Sequence, residues 1–230
     1  MGNFYYSYRD SATNNPTVMN AFYAPYSNFI ALPSGIFGYP YYKYGRIDSI
    51  NYGGIGTVIG HEISHAFDTS GRKYDHIGNK RNWWTNETLY KYAEKAQCFI
   101  DQYNNFTDPL SPVKANGRVT LKENIADNGG VKSAFKAFRL HLALSGEYFS
   151  YRKRLPELPA SPEQLFFLGY ASIWCTNMSD ELAKRYNEFD SHSPSKIRVN
   201  VPLSNFKEFA KAFKCKAGSP MNPIHKCNLW

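Results

Sequence analysis

The stretch "VIGHEISHAFD", Val58 to Asp68, carries two histidines four residues apart, with a glutamate directly after the first. Apolar residues recur at helical spacing through it, which predicts a helix over about residues 55–67. On that helix His61 and His65 lie one turn apart on the same face, so both imidazoles can reach one zinc ion. Glu62 can contact a water beside the ion without binding the ion itself. The alternative is a helix whose histidines are only hydrogen-bonded, but the apolar flanks favour the metal site.

A metal site of this kind needs a third protein ligand. A histidine six residues after His65 would stand at position 71, which is Gly71. The segment "ENIAD" offers Glu123 and Asp127, which lie one helical turn apart and so face the same way. Thr120 and Glu123 also fit a capping box, and that is the alternative interpretation of Glu123. We favour a ligand, because two inward-facing acids on an apolar helix would be costly without a cation, and Asp127 could accept the free N–H of a ligand histidine.

The remainder of the chain predicts one mainly helical domain with minor β structure. Prolines argue against a central strand between residues 18 and 33, so an edge hairpin with its turn near Pro25 to Asn28 fits better. "KIRVNVP" predicts a short strand. Helices are predicted in four further segments: "RNWWTNETLYKYAEKAQCFIDQYNNF" capped by Thr85 or Asn86, "NGRVTLKENIADNGGVKSAFKAFRLHLAL" opening at Thr120, a buried "SPEQLFFLGYASIWCTN", and "SNFKEFAKAFKC" with Phe206, Phe209, Ala210 and Phe213 inward.

Composition excludes several classes of function. The formal net charge is +8, but the basic residues are scattered and form no dense run, which argues against a nucleic-acid partner. No apolar run approaches the roughly 18 residues of a membrane span, and the first ten residues have no apolar signal core.

The cysteines and possible glycosylation sites bear on location. Four cysteines without a C-x-x-C pair exclude a zinc ribbon or a thioredoxin-like site. Together with N-x-S/T sequons at Asn86, Asn105 and Asn177, their even number favours an extracytoplasmic protein. Such a protein needs a signal or an anchor, so we expect the chain to be part of something longer.

Six blocks of the sequence resemble one known family. They are "NAFY", "NYGGIGTVIGHEISHAFD", "NGRVTLKENIADNGG", "QLFFLGYASIWC", "HSPSKIRV" and the terminal "CNLW". Together, from about Asn20 to Trp230 and in the same order, they are similar to the neprilysin / endothelin-converting-enzyme family of zinc metallopeptidases. The resemblance implies a mainly α, thermolysin-like zincin (gluzincin) catalytic domain with an HExxH helix, an ExxxD helix and an edge hairpin.

The resemblance also implies roles for residues around the motif. His61, His65 and Glu123 correspond to the ligands of one Zn²⁺ per chain. Glu62 corresponds to the base that takes a proton from the attacking water and later passes it to the leaving amine. Asp127 corresponds to a residue that orients a ligand histidine, and Asp68 is a weaker match for the same role.

The remaining matches concern the substrate and the cysteines. His192 resembles the histidine that stabilises the oxyanion, and Arg198 the arginine that binds a substrate carbonyl or carboxylate. Peptide docking along an edge strand is implied for Asn20 and Ala21. An apolar pocket is implied for Val58 and Trp174, with Ile36, Tyr41 and Ile173. A disulfide is implied between Cys98 and Cys227, whereas Cys175 and Cys215 would pair with the N-terminal part of the ectodomain.

These implications give the expected function. Residues 1–230 would be the C-terminal part of a neprilysin-like catalytic domain, about a third of such a protein. It would hydrolyse oligopeptides as an extracellular or cell-surface zinc endopeptidase, with peptide substrates and the N-terminal part of the ectodomain as its expected partners. The alternative is a truncated, catalytically silent binding or decoy module of the same fold. Hydrolysis of something other than a peptide is a third option, which the matches at Asn20, Ala21 and Arg198 disfavour.

Overall fold

A computed structural model describes residues 15–106, 114–145, 155 and 157–230 of the chain. Helices dominate it, and its sheet is an antiparallel hairpin of β1 (Phe22–Ala24) and β2 (Phe29–Ala31). The turn between the strands closes with the Ser27 N–H donating to the Ala24 carbonyl, and Asn28 takes a positive φ of 48° that asparagine tolerates well. The predicted edge hairpin is confirmed.

The histidine motif lies on an unbroken helical stretch. It comprises α1 (Asp48–Asn51), a π-helical segment (Tyr52–Gly56), α2 (Thr57–Ser64) and a 3₁₀ turn (His65–Phe67). The buried Thr57 hydroxyl lies 2.8 Å from the carbonyls of both Gly53 and Gly54, where the helix changes from π to α geometry. The predicted helix is confirmed, and it starts several residues earlier than its apolar pattern indicates.

The other helices comprise the four that were predicted, one over 180–189 that the sequence interpretation missed, and one over 195–205 where a strand was predicted. They are α3 (Asn86–Asn105), α4 (Leu121–Ser145), α5 (Pro162–Ser172), α6 (Asp180–Phe189), α7 (Ser195–Asn205) and α8 (Lys207–Ala212). Thr85 caps α3 by accepting the Thr88 N–H, as predicted. The final helix is shorter than predicted. Phe206 and Ala210 are buried, but Phe213 stays 37% exposed.

The strand predicted for "KIRVNVP" is wrong, because this segment lies within α7. Its β-branched residues at every second position suggested a strand. In the structure, Ile197 and Val201, four residues apart, share the buried face, whereas Val199 between them is only partly buried. Pro194 precedes the helix, and its carbonyl accepts the first helical N–H groups, from Ile197 and Arg198.

Helix α4 lies between two apolar clusters. The first joins α4 to α3, α7 and the C-terminal segment through Tyr92, Ala96, Phe99, Ile100, Tyr103, Leu121, Ile125, Ile197, Val201 and Leu229. The second joins it to α5 and the α7–α8 junction through Val131, Ala134, Phe135, Phe138, Phe166, Phe167, Tyr170, Leu203 and Phe206. Burial on both sides fixes the position of α4, and with it the "ENIAD" segment in its first two turns.

Helices α2 and α4 touch backbone to backbone. A Cβ atom on Gly60 would come within 2.6 Å of the Gly130 carbonyl oxygen, and one on Gly130 within 2.7 Å of the His61 nitrogen. Any larger residue at either position would therefore push the helices apart. These glycines allow the histidines of α2 and the acids of α4 to meet.

Two further features concern the sequence expectations. A disulfide joins Cys98 to Cys227, while Cys175 and Cys215 carry free thiols. Among the residues that the structure describes, no helix combines the length and the apolar composition needed to cross a membrane.

Candidate metal centre and substrate cavity

Three potential ligand side chains converge where α2 meets α4. The Nε2 atoms of His61 and His65 are 3.0 Å apart. The Oε2 atom of Glu123 lies 3.3 Å from the first and 3.2 Å from the second. These three residues form a group able to hold a metal ion. The Glu123 side chain faces the two histidines. The alternative interpretation was a capping box, in which this side chain would bind the start of α4, and it does not describe the position of the side chain.

The hydrogen bonds behind the histidines determine which atoms face the centre. The Nδ1 of His61 is 2.8 Å from Asp127 Oδ1, and the Nδ1 of His65 is 2.7 Å from Asp68 Oδ2. A carboxylate only accepts, so each Nδ1 carries the proton and each Nε2 of a neutral ring presents a lone pair. Glu123 Oε2 is buried and has no hydrogen-bond partner among the described residues. Three lone-pair atoms this close together need a cation between them.

The groups around the centre favour the protonated, positively charged form of both histidines. Burial disfavours the charged form of His65, but its hydrogen bond with Asp68 and the adjacent Glu123 carboxylate outweigh burial and raise its pKa to about 10. Burial likewise opposes the charge on His61, and contacts with Asp127 and Glu123 raise its pKa. The pKa of Glu123 falls well below the usual range despite burial, because His192, His61 and His65 surround the carboxylate.

Asp127 connects the centre to a buried arginine. Its two oxygens accept from Nε and Nη2 of Arg198, both at 2.8 Å. Burial alone would raise the pKa of Asp127, but Arg198 and His61 hold it at about 2. The Arg198 guanidinium also lies 3.9 Å from the centre of the Trp174 ring, and the Tyr170 hydroxyl donates to the Arg198 carbonyl. Arg198 is thus held on three sides.

Glu62 points into the cavity beside the histidines. It is 6% exposed, and no hydrogen bond or ion pair joins its side chain to another described residue. Burial raises the pKa of Glu62, and the charges of His61 and His65 offset this only in part. A carboxylate with a raised pKa next to a metal-binding group can exchange a proton with a water molecule there.

His192 reaches the centre from the loop between α6 and α7. Its Nε2 is 3.2 Å from Glu123 Oε2, and its Nδ1 is 2.7 Å from Asp190 Oδ1. The contact with Glu123 raises the pKa of His192, against the effect of burial. The sequence interpretation missed Asp190. The spacing Asp-x-His, in which Asp190 also accepts the His192 backbone N–H, is the local signal that could have identified it.

These groups line a cavity of about 550 Å³. Asn20 and Ala21 lie on its rim just before β1, and Asn20 Oδ1 accepts the Ala21 N–H at 2.9 Å. Every residue that the sequence assigned to the metal, the catalytic groups or the substrate lines this cavity: Asn20, Ala21, Val58, His61, Glu62, His65, Glu123, Asp127, Trp174, His192 and Arg198. Ile36, Tyr41, Asp68 and Ile173 line it too.

The remaining predicted sites lie elsewhere. The asparagines of the three sequons, Asn86, Asn105 and Asn177, are all exposed. Asn86 begins α3 and Asn105 ends it, while Thr107, the third residue of the Asn105 sequon, lies outside the described residues.

A histidine pair on one helix facing a glutamate on a second helix defines the gluzincin class of metallopeptidase fold. Comparison with known proteins identifies the family within it. The chain belongs to peptidase family M13, whose family model matches residues 20–229. It is 48% identical over 216 residues to neprilysin-1 of Trittame loki and 45% identical over 222 residues to endothelin-converting enzyme 1 of Rattus norvegicus.

Solved structures agree with this assignment. The zinc metalloprotease Zmp1 of Mycobacterium tuberculosis, in complex with an inhibitor, aligns with a TM-score of 0.82 at 34% identity. That alignment covers 94% of this chain but 33% of Zmp1. The two sequence relatives are likewise covered over 30% and 28% of their own length. The chain therefore spans about a third of the proteins that it resembles. Membership of this family implies a metal cofactor, generally zinc, and His61, His65 and Glu123 fit it.

Proposed function

We propose that this chain is the metal-bearing segment of a zinc endopeptidase that hydrolyses oligopeptides. One observation carries the proposal. Glu123 Oε2, buried and without a hydrogen bond among the described residues, faces two imidazole Nε2 atoms whose rings are held by carboxylates, at the foot of an open cavity. Two histidines and a glutamate with one open position form the donor set of a catalytic zinc site.

Glu62 is the proposed general base. A zinc ion bound by the three ligands would supply Lewis acidity, lowering the pKa of a water and polarising the peptide carbonyl. Glu62 lies next to the ligand His61 but has no partner of its own among the described residues, so its carboxylate is available to the attacking water. Its raised pKa suits a group that accepts the proton of that water and returns it to the leaving amine.

His192 and Arg198 act on the substrate in this proposal. With Nδ1 held by Asp190, His192 can donate from Nε2 to the oxyanion that develops on the scissile carbonyl. Asp127 and Trp174 hold the Arg198 guanidinium at the cavity wall, where it can bind a second substrate carbonyl. Both residues are fixed by their own partners before substrate arrives, which reduces the cost of ordering them.

The cavity rim suits an extended peptide. Asn20 and Ala21 continue directly into β1, so a substrate strand could add to this edge through main-chain hydrogen bonds. Main-chain bonding tolerates many sequences, and apolar walls at Val58 and Trp174 would set the side-chain preference. These features favour a peptide over other hydrolysable substrates.

The wider context is also a proposal. Residues 1–230 form the C-terminal part of a catalytic domain. The relatives are longer than this chain, and the N-terminal part of such an ectodomain is the expected partner. The disulfide and the three exposed sequon asparagines support an extracellular or cell-surface location.

The test is zinc content measured together with cleavage of a short fluorogenic peptide. We expect one zinc per chain and cleavage that a chelator abolishes and that added Zn²⁺, but not Mg²⁺, restores. Stoichiometric zinc without cleavage, in the chain and in the longer protein that contains it, would favour the silent binding or decoy module. A chain that binds no zinc would contradict the proposal.

A further inference from the structure

We propose that Ser193 and Asn124 are positioning residues that fix the His192 loop against α4. Their hydrogen bond would hold His192 over the metal centre during peptide hydrolysis, so this inference rests on the proposed function. Neither residue touches the reacting atoms, and each would act through His192.

His192 needs such an anchor because its other contacts do not provide one. It lies between α6 and α7, and its side chain is 41% exposed. The bond from His192 Nδ1 to Asp190 stays within the same loop, so it orients the ring but does not attach the loop to α4. The contact of Nε2 with Glu123 Oε2 uses the atom that metal binding would require. A further contact must therefore hold the loop in place.

The Ser193–Asn124 hydrogen bond meets this need. The Ser193 hydroxyl donates to Asn124 Oδ1 at 2.7 Å. Ser193 is 5% exposed and Asn124 is fully buried, so water does not compete for the bond. It uses neither His192 Nε2 nor Glu123, so it persists whatever binds those atoms.

The asparagine is itself held in one orientation. Its Nδ2 donates to Thr120 Oγ1 at 2.8 Å, and the Thr120 hydroxyl donates to the Asn116 carbonyl at 2.9 Å. The amide nitrogen is thus occupied, and Oδ1 must face Ser193. Asn124 also directly follows Glu123 in the first turn of α4. The first turn of α4 therefore carries both the ligand carboxylate of Glu123 and the Asn124 amide that anchors the His192 loop. This shared turn fixes the separation between Glu123 and His192.

The first experiment compares two buried serines in the full-length protein. Ser193→Ala deletes only the anchoring hydroxyl, and we expect kcat to fall about tenfold with KM and zinc content unchanged. Ser204→Ala is the matched control, because Ser204 is similarly buried and donates to the Val201 carbonyl within α7. It should leave kcat unchanged. Ser193→Thr keeps a hydroxyl and should restore most of the activity.

A double-mutant cycle separates the bond from general packing. Ser193→Ala and Asn124→Ala should each lower kcat, and the double variant should lower it no further than the worse single variant. Independent, multiplying losses would overturn the proposal. If Asn124→Ala fails to fold, the comparison of Ser193→Ala with Ser193→Thr still decides.

Hydrogen exchange supplies a readout that does not need activity. We expect Ser193→Ala to speed amide exchange in residues 190–193 while exchange in α4 stays slow. Unchanged loop exchange, or faster exchange with unchanged kcat, would overturn the positioning role. A parent protein that binds zinc but cleaves no peptide would refute the proposed function instead, and the exchange difference would then still decide whether the bond anchors the loop.

Discussion

Two walls of the cavity each present a histidine within 3.2 Å of Glu123 Oε2, but they hold it in different ways. His65 begins the 3₁₀ turn that continues α2, the helix that packs backbone to backbone on α4, and its side chain is 15% exposed. His192 comes from a loop and is 41% exposed. Each ring has an aspartate on Nδ1. Neither the distance to Glu123 nor the aspartate therefore distinguishes the two histidines.

The difference lies in the backbone beneath each ring, which is a packed helical stretch for His65 and a loop for His192. The helix wall comprises His61, Glu62 and His65, with Asp127 behind them. It brings the Nε2 atoms of His61 and His65 to 3.0 Å from each other, a pair suited to holding an ion. The loop wall, which comprises Asp190, His192 and Ser193, brings one imidazole, held by Asp190 and by the Ser193–Asn124 hydrogen bond. Substitutions of the ligands in the helix wall, and of the aspartates that hold them, should therefore change metal content, and those in the loop wall should change catalysis alone.

Glu62→Gln should have the largest effect, and it sharpens the comparison, because Glu62 belongs to the helix wall without being a ligand. We expect kcat to fall by roughly 10²–10⁴-fold, the usual contribution of a general base, with zinc content unchanged. Glu163→Gln is the matched control, because Glu163 pairs with Arg139 outside the cavity. Metal analysis and peptide cleavage on the same samples would decide. Loss of zinc from Glu62→Gln would make Glu62 a ligand.

His192→Ala should have the next largest effect. Removal of one oxyanion donor typically costs about 10²–10³-fold in kcat. Because the loop wall is not needed to hold the ion, zinc affinity should stay within a few-fold of the parent value. Competition with a fluorescent chelator measures that affinity. A large loss of zinc affinity would make His192 a ligand and remove the distinction between the walls.

The helix wall could be predicted from sequence because its signals are local. Two histidines at i and i+4 share a helix face in any amphipathic context, and the same holds for Glu123 and Asp127. The encounter of the two helices is not local. It depends on Gly60 and Gly130, whose role becomes visible only once the backbones are placed together.

The residues of the loop wall could be predicted from the sequence only in part. His192 was found through family resemblance, and its partner Asp190 was missed. Ser193 and Asn124 are ordinary polar residues 69 positions apart, and nothing in their spacing indicates a contact. The strand predicted over "KIRVNVP" failed for a related reason. β-Branched residues favour strands only weakly, and burial of one face of α7 overrides that preference.

A pair of aspartate variants tests the two walls directly. Asp127→Asn should weaken zinc binding by about 10–100-fold, because His61 loses the carboxylate that fixes its tautomer and Arg198 loses its partner. Asp190→Asn should instead lower kcat, by roughly tenfold, with zinc affinity unchanged, since it supports only the loop histidine. Zinc titration and steady-state kinetics on both variants measure this. Equal losses of zinc affinity would show that the loop also supports the ion.

The smallest expected effect is a pH dependence of stability in the metal-free protein. His65 has its pKa raised from 6.5 to about 10, so its proton stabilises the fold fully below pH 6.5, and that stabilisation is lost as pH rises toward 10. With a chelator present, the free energy of unfolding should fall over this window, by at most about 1.4 kcal/mol per pH unit for one proton. Lys132, whose pKa burial lowers to about 8, acts in the opposite sense, but it is common to parent and variant. The difference between the parent and His65→Gln in urea unfolding therefore cancels Lys132 and reports the proton that His65 holds together with its neighbours Asp68 and Glu123. It should shrink as pH rises, and a difference independent of pH would mean that His65 carries no such proton.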